Sequence, residues 1–145
     1  MLIRDVMTVA PVCCAPSETL DNVARLMLEH DCGEIPVCDG VQLVGVITDR
    51  DITCRAVARG LSPMDVPVEE VMTRNVFSIP DDAKIDEALE LMNETLVRRL
   101  PVVDAGGYVV GIISQADLIA KVPTLKVARL MRSVSQRTRR YSSNH

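Results

Sequence analysis

The most informative feature of the chain is an internal repeat. Residues 45–51 read Gly-Val-Ile-Thr-Asp-Arg-Asp, and 66 positions later residues 111–117 read Gly-Ile-Ile-Ser-Gln-Ala-Asp. Two further segments recur at an offset of 65 residues: Asp-Val-Met-Thr (5–8) as Glu-Val-Met-Thr (70–73), and Ile-Pro-Val (35–37) as Leu-Pro-Val (100–102). Self-similarity at a nearly fixed period predicts two structural units rather than one irregular domain.

Each copy shows the same order of hydrophobic patterns. An extended segment (9–14 or 76–79) precedes apolar residues at helical spacing, which are Leu20, Val23, Ala24 and Met27 in the first copy and Ile85, Ala88, Leu89 and Met92 in the second. Two apolar strands joined by a glycine-containing turn follow, at 35–38 and 43–47 or at 100–103 and 109–113. A second helix then begins at Thr48 or Ser114 and ends at Gly60 or before Pro123.

This order predicts an α/β (α+β) fold of two β-α-β-β-α repeats, residues 1–62 and 63–122, followed by a tail, residues 123–145. A repeat of about 60 residues buries too little apolar surface to offset its chain entropy. We therefore expect the repeats to pack by pseudo-twofold symmetry around a shared core, with two related clefts between them that could bind small ligands. In the tail, the helical spacing recurs and predicts a final helix, through Val127, Leu130, Met131 and Val134.

The charge of the chain limits its partners. The net charge is −4, but residues 121–145 hold seven of the sixteen basic residues and none of the twenty acidic ones. An acidic body disfavours nucleic acid as a partner, although the basic tail alone could make a weak, salt-sensitive contact. Because no apolar run approaches roughly 18 residues and no secretory signal is present, we expect a cytoplasmic protein without membrane association.

The cysteines could serve redox chemistry or packing. All five lie in the first repeat, and an odd number in one repeat argues against a disulfide framework. Cys13 is expected on the first strand and Cys38 on its neighbour, where they could form a redox pair if they face the same side; otherwise they are small apolar side chains. His30, Cys32 and Cys38 lack the paired spacing of a zinc site, so no metal is expected. Nucleophile–base spacing and a glycine–lysine phosphate loop are also missing, so we expect no enzyme activity.

The repeated segments resemble a tandem pair of cystathionine-β-synthase (CBS) domains, the Bateman module, over about residues 3–120. With no further domain attached, the chain is most similar to the short stand-alone bacterial members. The resemblance implies a regulatory sensor that binds an adenosyl small molecule, such as AMP, ADP, ATP or S-adenosylmethionine, and passes its occupancy to a protein partner that the sequence does not name. It also implies a homodimer and no obligatory cofactor, the adenine nucleotide being a regulatory ligand.

The resemblance carries ribose recognition to two pairs of residues, Thr48 with Asp51 and Ser114 with Asp117. An aspartate can accept hydrogen bonds from both vicinal hydroxyls of a ribose, and the helix N-terminus beside it favours anions. Another interpretation remains open at this point, because a hydroxyl residue followed by an acid in the first helical turn is a common helix cap in any protein.

The resemblance also implies how each cleft is completed. Thr73, Val76 and Phe77 would line the adenine of the Thr48/Asp51 cleft, and Thr8 and Val12 that of the Ser114/Asp117 cleft. Arg98 and Arg99 would face the phosphates of the Thr48/Asp51 cleft, whereas the matching residues for the other cleft are Gly33 and Glu34. The Thr48/Asp51 cleft is therefore expected to hold nucleotides better. Arg50 is a further phosphate candidate, and all three arginines could instead be solvated surface charges.

Two other functions compete with nucleotide sensing. The chain could be a nucleotide-independent protein-interaction scaffold, or a redox or stress sensor that uses Cys13 and Cys38. Loss of salt-sensitive binding on truncation of the tail would favour the scaffold, and reductant-dependent stability would favour the redox sensor.

Overall fold

A computed structural model describes residues 1–9, 12–74 and 76–121. The predicted tail, residues 123–145, and its predicted helix lie outside the described residues. Within the described ranges, no helix is both long and apolar enough to cross a bilayer.

The elements follow the order predicted from the sequence. They are β1 (Thr8–Val9), α1 (Leu20–His30), β2 (Glu34–Asp39), β3 (Gln42–Thr48), α2 (Asp49–Asp51), β4 (Ile79–Pro80), α3 (Ile85–Thr95), β5 (Arg99–Val103), β6 (Val109–Ser114) and α4 (Gln115–Lys121). The α2 helix continues as a π-helical turn (Ile52–Ala56) and a 3-10 turn (Val57–Arg59), which ends at Gly60 with φ of 71°. Two more 3-10 turns, Ile3–Asp5 and Val68–Glu70, occupy equivalent positions of the repeats. The mixed α and β class is confirmed.

The strands form two sheets. One has the order β1-β6-β5-β4, and the other pairs β2 with β3 as an antiparallel hairpin with an irregularity between Val37 and Cys38. The chain divides into two compact units around these sheets. Of the described residues, the β5–β6 unit contains 1–9, 77–106 and 110–121, and the β2–β3 unit contains 12–74, 76 and 107–109.

Each unit takes up the opening segment of the other repeat. In the β5–β6 unit, β1 pairs antiparallel with β6, so that Thr8 lies opposite Ile112. The equivalent bridge in the β2–β3 unit joins Thr73 to Val46. The compact units therefore do not coincide with the sequence repeats, since residues 1–9 pack with the body of the second repeat and residues 66–73 with the body of the first.

The apolar side chains form two clusters, one in each unit, rather than the single shared core expected from the sequence. The reason is the exchange of opening segments: Ile3 is completely buried in the β5–β6 cluster, and its counterpart Val68 is completely buried in the β2–β3 cluster. The other fully buried side chains belong to the helices and strands predicted to be apolar, among them Leu20, Val23, Ile35, Val37 and Ile47 in one unit and Met92, Leu100, Val102, Ile113 and Leu118 in the other.

The amphipathic helices match the predicted pattern with one exception. On α3, all four predicted positions are buried, whereas on α1 Leu20, Val23 and Met27 are buried and Ala24 is exposed. The buried stripe of α1 instead widens on its other side, where Leu26 packs against the core. The apolar face of α1 therefore lies slightly rotated from the predicted one.

Candidate functional site

Thr48 and Asp51 bind each other across the start of α2. The Thr48 hydroxyl oxygen accepts a hydrogen bond from the Asp51 backbone N–H at 3.0 Å, and Asp51 Oδ2 accepts one from the Thr48 N–H at 3.1 Å. This reciprocal arrangement is a capping box, in which each side chain satisfies a backbone donor of the helix end. Among the described residues, Thr48 Oγ1 acts as an acceptor and donates to no partner, so its hydrogen can form a further bond.

The Asp51 carboxylate is buried and has two more neighbours. Only 7% of Asp51 is exposed, and it is the one buried charged residue of the described chain. The Thr73 hydroxyl lies 3.3 Å from both carboxylate oxygens, and Arg55 Nε lies 3.7 Å from Oδ1. These contacts are long compared with the roughly 2.7 Å of a strong hydroxyl–carboxylate bond. The side-chain contacts of Asp51 are therefore weak enough for a stronger donor to replace them.

Ser114 and Asp117 form the equivalent site in the β5–β6 unit. The Ser114 N–H donates to Asp117 Oδ2 at 2.9 Å, and Ser114 Oγ accepts from the Asp117 N–H at 3.1 Å. Asp117 is half-buried and so more accessible than Asp51. Both predicted helix starts therefore have the same local geometry, but their surroundings differ.

The predicted phosphate ligands are distributed differently. The Arg98 carbonyl accepts a hydrogen bond from the Gln115 N–H at 2.8 Å, which places Arg98 beside the Ser114 turn of its own unit. In the β2–β3 unit the same bond joins the Asp49 N–H to Gly33 at 3.0 Å. Arg98 and Arg99 are exposed, and neither forms an ion pair with any residue of the described ranges. Their role as phosphate ligands of the Thr48/Asp51 site stays a prediction.

Arg50 and the predicted adenine residues differ in their exposure and in the unit to which they belong. Arg50 is exposed, and its backbone N–H donates to Asp49 Oδ1 at 2.8 Å. Thr73 contacts Asp51, as described, and Val76 is a half-buried member of the same unit. Phe77 belongs to the β5–β6 unit and is 46% exposed.

The last two adenine residues, Thr8 and Val12, were predicted to line one pocket. Thr8 lies on β1 in the β5–β6 unit, and Val12 belongs to the β2–β3 unit. Their joint role stays a prediction.

The cysteine side chains Cys13 and Cys38 come together in the β2–β3 unit, where their thiols hydrogen-bond. Burial is the main reason that the pKa of the Cys38 thiol rises from 9.0 to about 12, with the Cys13 thiol adding to the effect. None of the five cysteines, all within the described ranges, forms a disulfide. Among the same residues, no group of three or more His, Cys, Asp or Glu side chains could hold a metal ion.

The sequence analysis missed Arg55. Its Nη1 donates to the carbonyl oxygens of Val71 and Met72, at 3.2 and 3.1 Å, while its Nε faces Asp51. The π-helical turn contains Arg55, and such turns are frequent at functional sites. The spacing of four residues between Asp51 and Arg55 was the available signal, since it permits an ion pair within one helical turn.

Comparison with known proteins gives the family of the chain. The CBS domain family model matches residues 3–56 and 68–124. Hypoxic response protein 1 of Mycobacterium tuberculosis is 34% identical over 132 residues, which cover 90% of this chain and 92% of that protein. A crystal structure of Hypoxic Response Protein I with two coordinated zinc ions is 36% identical, with a TM-score of 0.76, over 85% of this chain and 100% of that chain.

Two similar structures contain adenosyl ligands. The CBS domain pair of protein MJ0100 in complex with 5′-methylthioadenosine and S-adenosyl-L-methionine is 29% identical, with a TM-score of 0.73, over 83% of this chain and 98% of that chain. The structure of CBSX2 in complex with AMP is 29% identical, with a TM-score of 0.69, over 82% of this chain and 93% of that chain.

The two family matches coincide with the two copies of the sequence repeat, and the first relative aligns along nearly its whole length. The resemblance found in the sequence is thereby confirmed. The chain belongs to the CBS domain family and carries two CBS domains in tandem.

Proposed function

We propose that this protein is a regulatory CBS pair that binds an adenosine-type small molecule and performs no catalysis. The observation that carries the proposal is the buried Asp51 carboxylate, whose side-chain neighbours are long contacts. The adenosyl ligands of the similar MJ0100 and CBSX2 structures support the same class of ligand.

Ribose chemistry suits the Thr48/Asp51 site. The Thr48 N–H holds one carboxylate oxygen in place at 3.1 Å, so the orientation of Asp51 is fixed before a ligand arrives. Two neighbouring ribose hydroxyls could then donate to the two oxygens in place of Thr73, and each bond to a charged acceptor contributes about 1.5–3 kcal/mol. Preorganisation of this kind lowers the entropic cost of binding.

The Ser114/Asp117 site differs in its charge. Because the Arg98 backbone is bonded to the turn that follows Ser114, the contacts within the β5–β6 unit favour Arg98 as a phosphate ligand of this site. In the β2–β3 unit, Gly33 stands at the position of Arg98, and the residue whose N–H donates to its carbonyl is the acidic Asp49. This site therefore has a negative charge where the other has a positive one. This reverses the preference expected from the sequence: we propose that phosphorylated ligands bind better at Ser114/Asp117.

Calorimetric titration of the full chain tests the proposal, with adenosine, AMP, ADP, ATP, 5′-methylthioadenosine and S-adenosylmethionine as ligands. Asp51→Asn should weaken one class of sites by at least roughly tenfold, and Asp117→Asn should weaken the other. Asp65→Asn is the matched control, because it removes the same charge from an exposed carboxylate of the same unit that the proposal does not place at the site. If none of the six compounds binds at millimolar concentration, or if both variants bind like the parent, the proposal is wrong.

The charge preference has its own test. Arg98→Gln should weaken AMP binding at the site that Asp117→Asn removes and leave adenosine binding within about twofold. If the change instead follows the site removed by Asp51→Asn, Arg98 serves the Thr48/Asp51 site, as the sequence suggested. The homodimer and the regulated protein partner expected from the resemblance are part of this proposal, and light scattering with and without ligand tests the dimer.

A further inference from the structure

The strand register of the β2–β3 unit places Cys13 and Cys38 on one face of the sheet. Cys14 bridges Val37 in a parallel arrangement, in which the Cys14 N–H donates to the Pro36 carbonyl at 3.0 Å and the Cys38 N–H donates to the Cys14 carbonyl at 2.9 Å. Cys14 and Val37 both point into the core, with 7% and 0% exposure. Because side chains alternate along a strand, Cys13 and Cys38 point to the opposite face.

The two thiols on that face are already in contact. They share a hydrogen bond, and Cys13 is exposed while Cys38 is half-buried. Backbone hydrogen bonds on either side of Cys14 hold the two strands together. In this register the direct neighbour of Cys13 is Pro36 and that of Cys38 is Ala15, so the two cysteines are diagonal neighbours whose Cα atoms must draw closer as the disulfide forms.

The second repeat shows that the fold does not need these thiols. The same parallel register recurs where Ile79 pairs with Val102, the counterparts of Cys14 and Val37. At the positions of Cys13 and Cys38 the second repeat has Ser78 and Val103. One backbone arrangement therefore occurs twice in the chain, with a thiol pair in only one copy.

We propose that Cys13 and Cys38 are a redox-modification site, which forms a reversible intrachain disulfide when the protein meets a peroxide. The exposed Cys13 thiol reduces the peroxide, becomes a sulfenic acid and releases one water or alcohol. The Cys38 sulfur then attacks the Cys13 sulfur, and the second water leaves with the Cys38 proton. Both thiols together lose two electrons and two protons, and the O–O bond of the peroxide is broken.

The order of these steps follows from exposure. Burial raises the pKa of the Cys38 thiol to about 12, so this group is protonated at neutral pH and is not the first sulfur to react. The disulfide would tie residues 12–14 to β2 and close a loop that contains α1. This inference does not depend on the proposed adenosine-type ligand.

The test compares the full-length reduced protein before and after treatment with stoichiometric hydrogen peroxide. The parent should keep three of its five thiols, and peptide mapping without reductant should join Cys13 to Cys38. The melting temperature should rise by roughly 5–10 °C, as for other disulfides that close loops of this size. Dithiothreitol should reverse both changes.

The second repeat supplies conservative variants. Cys13→Ser and Cys38→Val copy Ser78 and Val103, so they should fold like the parent and show no peroxide-dependent rise in melting temperature. Cys54→Ala copies Ala120, removes an exposed thiol elsewhere, and should respond like the parent. The proposal is wrong if the treated parent keeps all five thiols, if Cys13 proceeds to a sulfinic acid without closing, or if the cross-link joins two chains.

Discussion

The sulfur of Met72 occupies the space that a Cβ atom on Gly45 would need. A Cβ built there would lie 2.8 Å from that sulfur and also 2.8 Å from the carbonyl oxygen of Thr73. The same relationship recurs in the β5–β6 unit, where a Cβ on Gly111 would lie 2.5 Å from the sulfur of Met7. The glycine that opens each repeated heptad is therefore explained by the methionine of an opening segment.

We expect Gly45→Ala and Gly111→Ala to destabilise the protein by about 1–3 kcal/mol, because the backbone carbonyl beside the sulfur cannot move aside as a side chain can. Urea unfolding measures the change. In a double-mutant cycle, Gly45→Ala should cost less in a Met72→Ala background than in the parent, since that background lacks the sulfur but keeps the carbonyl. An unchanged urea midpoint for Gly45→Ala would contradict this account.

The capping boxes make a second prediction. Thr48→Ala removes the acceptor for the Asp51 N–H and should lower the free energy of unfolding by about 1 kcal/mol, whereas Thr48→Ser should nearly preserve it. Thr19 is the control, because it occupies the cap position of α1 but donates its hydroxyl to the Asp21 carboxylate. Thr19→Ala should cost less than about 0.5 kcal/mol. Equal losses for Thr48→Ala and Thr19→Ala in urea would contradict the assignment.

The Thr19 bond should also appear in the titration of Asp21. The hydrogen bond from Thr19 is the main reason that the pKa of Asp21 lies below 3.8. A lowered pKa means that the carboxylate contributes stability above pH 3.8 and loses it as the pH falls through the folded-state value. Thr19→Ala should therefore raise the pKa of Asp21, which carboxyl NMR titration measures. An unchanged titration would show that the hydroxyl does not bind this carboxylate in solution.

Much of the fold could be predicted because its signals are local. The alternating and helical patterns lie within single elements, and the hydroxyl–acid spacing at Thr48 and Ser114 is enough to identify a capping box. The exchange of opening segments could not be predicted in this way. Ile3 and Val68 are equivalent apolar residues of the two opening segments, and the sequence pattern does not tell which of the two apolar clusters each one joins.

The candidate site was less accessible to sequence reasoning. Asp51 could be identified from its repeat, but Arg55 binds the backbone carbonyls of Val71 and Met72, which leave no residue-specific signal in a sequence. The neighbour of Arg98 is likewise a backbone amide, that of Gln115. Sequence reasoning therefore identified Asp51 and Arg98, but neither Arg55 nor the backbone contacts of the two arginines.

Because of the buried thiols of the β2–β3 unit, we expect the free energy of unfolding to fall at alkaline pH. Burial is the main cause that raises the pKa of Cys14 from 9.0 to about 12. Above pH 9.0 the unfolded chain releases the proton while the folded chain keeps it, so the free energy of unfolding should fall as the pH rises from 9.0 towards about 12. Cys14→Ala should make this slope shallower, with the remainder due to Cys38, and Cys54→Ala, at an exposed position, should leave it unchanged. Urea unfolding at pH 7 to 10.5 measures the slopes, and parallel curves for all three proteins would contradict the prediction.

Arg55 should hold the second opening segment against the helix. Arg55→Gln removes the charged donor to the Val71 and Met72 carbonyls, and because the arginine is half-exposed we expect a loss of only about 1 kcal/mol. Its local effect should be clearer, since the Thr73 N–H donates to the Val46 carbonyl at 2.9 Å immediately after those carbonyls. Amide hydrogen exchange at Thr73 should therefore become faster. Arg59→Gln is the control, because it removes the same charge from an exposed position one turn later and should leave the exchange rate of the Thr73 amide unchanged. If both variants accelerated exchange equally, the net charge and not the Arg55 contacts would protect the Thr73–Val46 bridge.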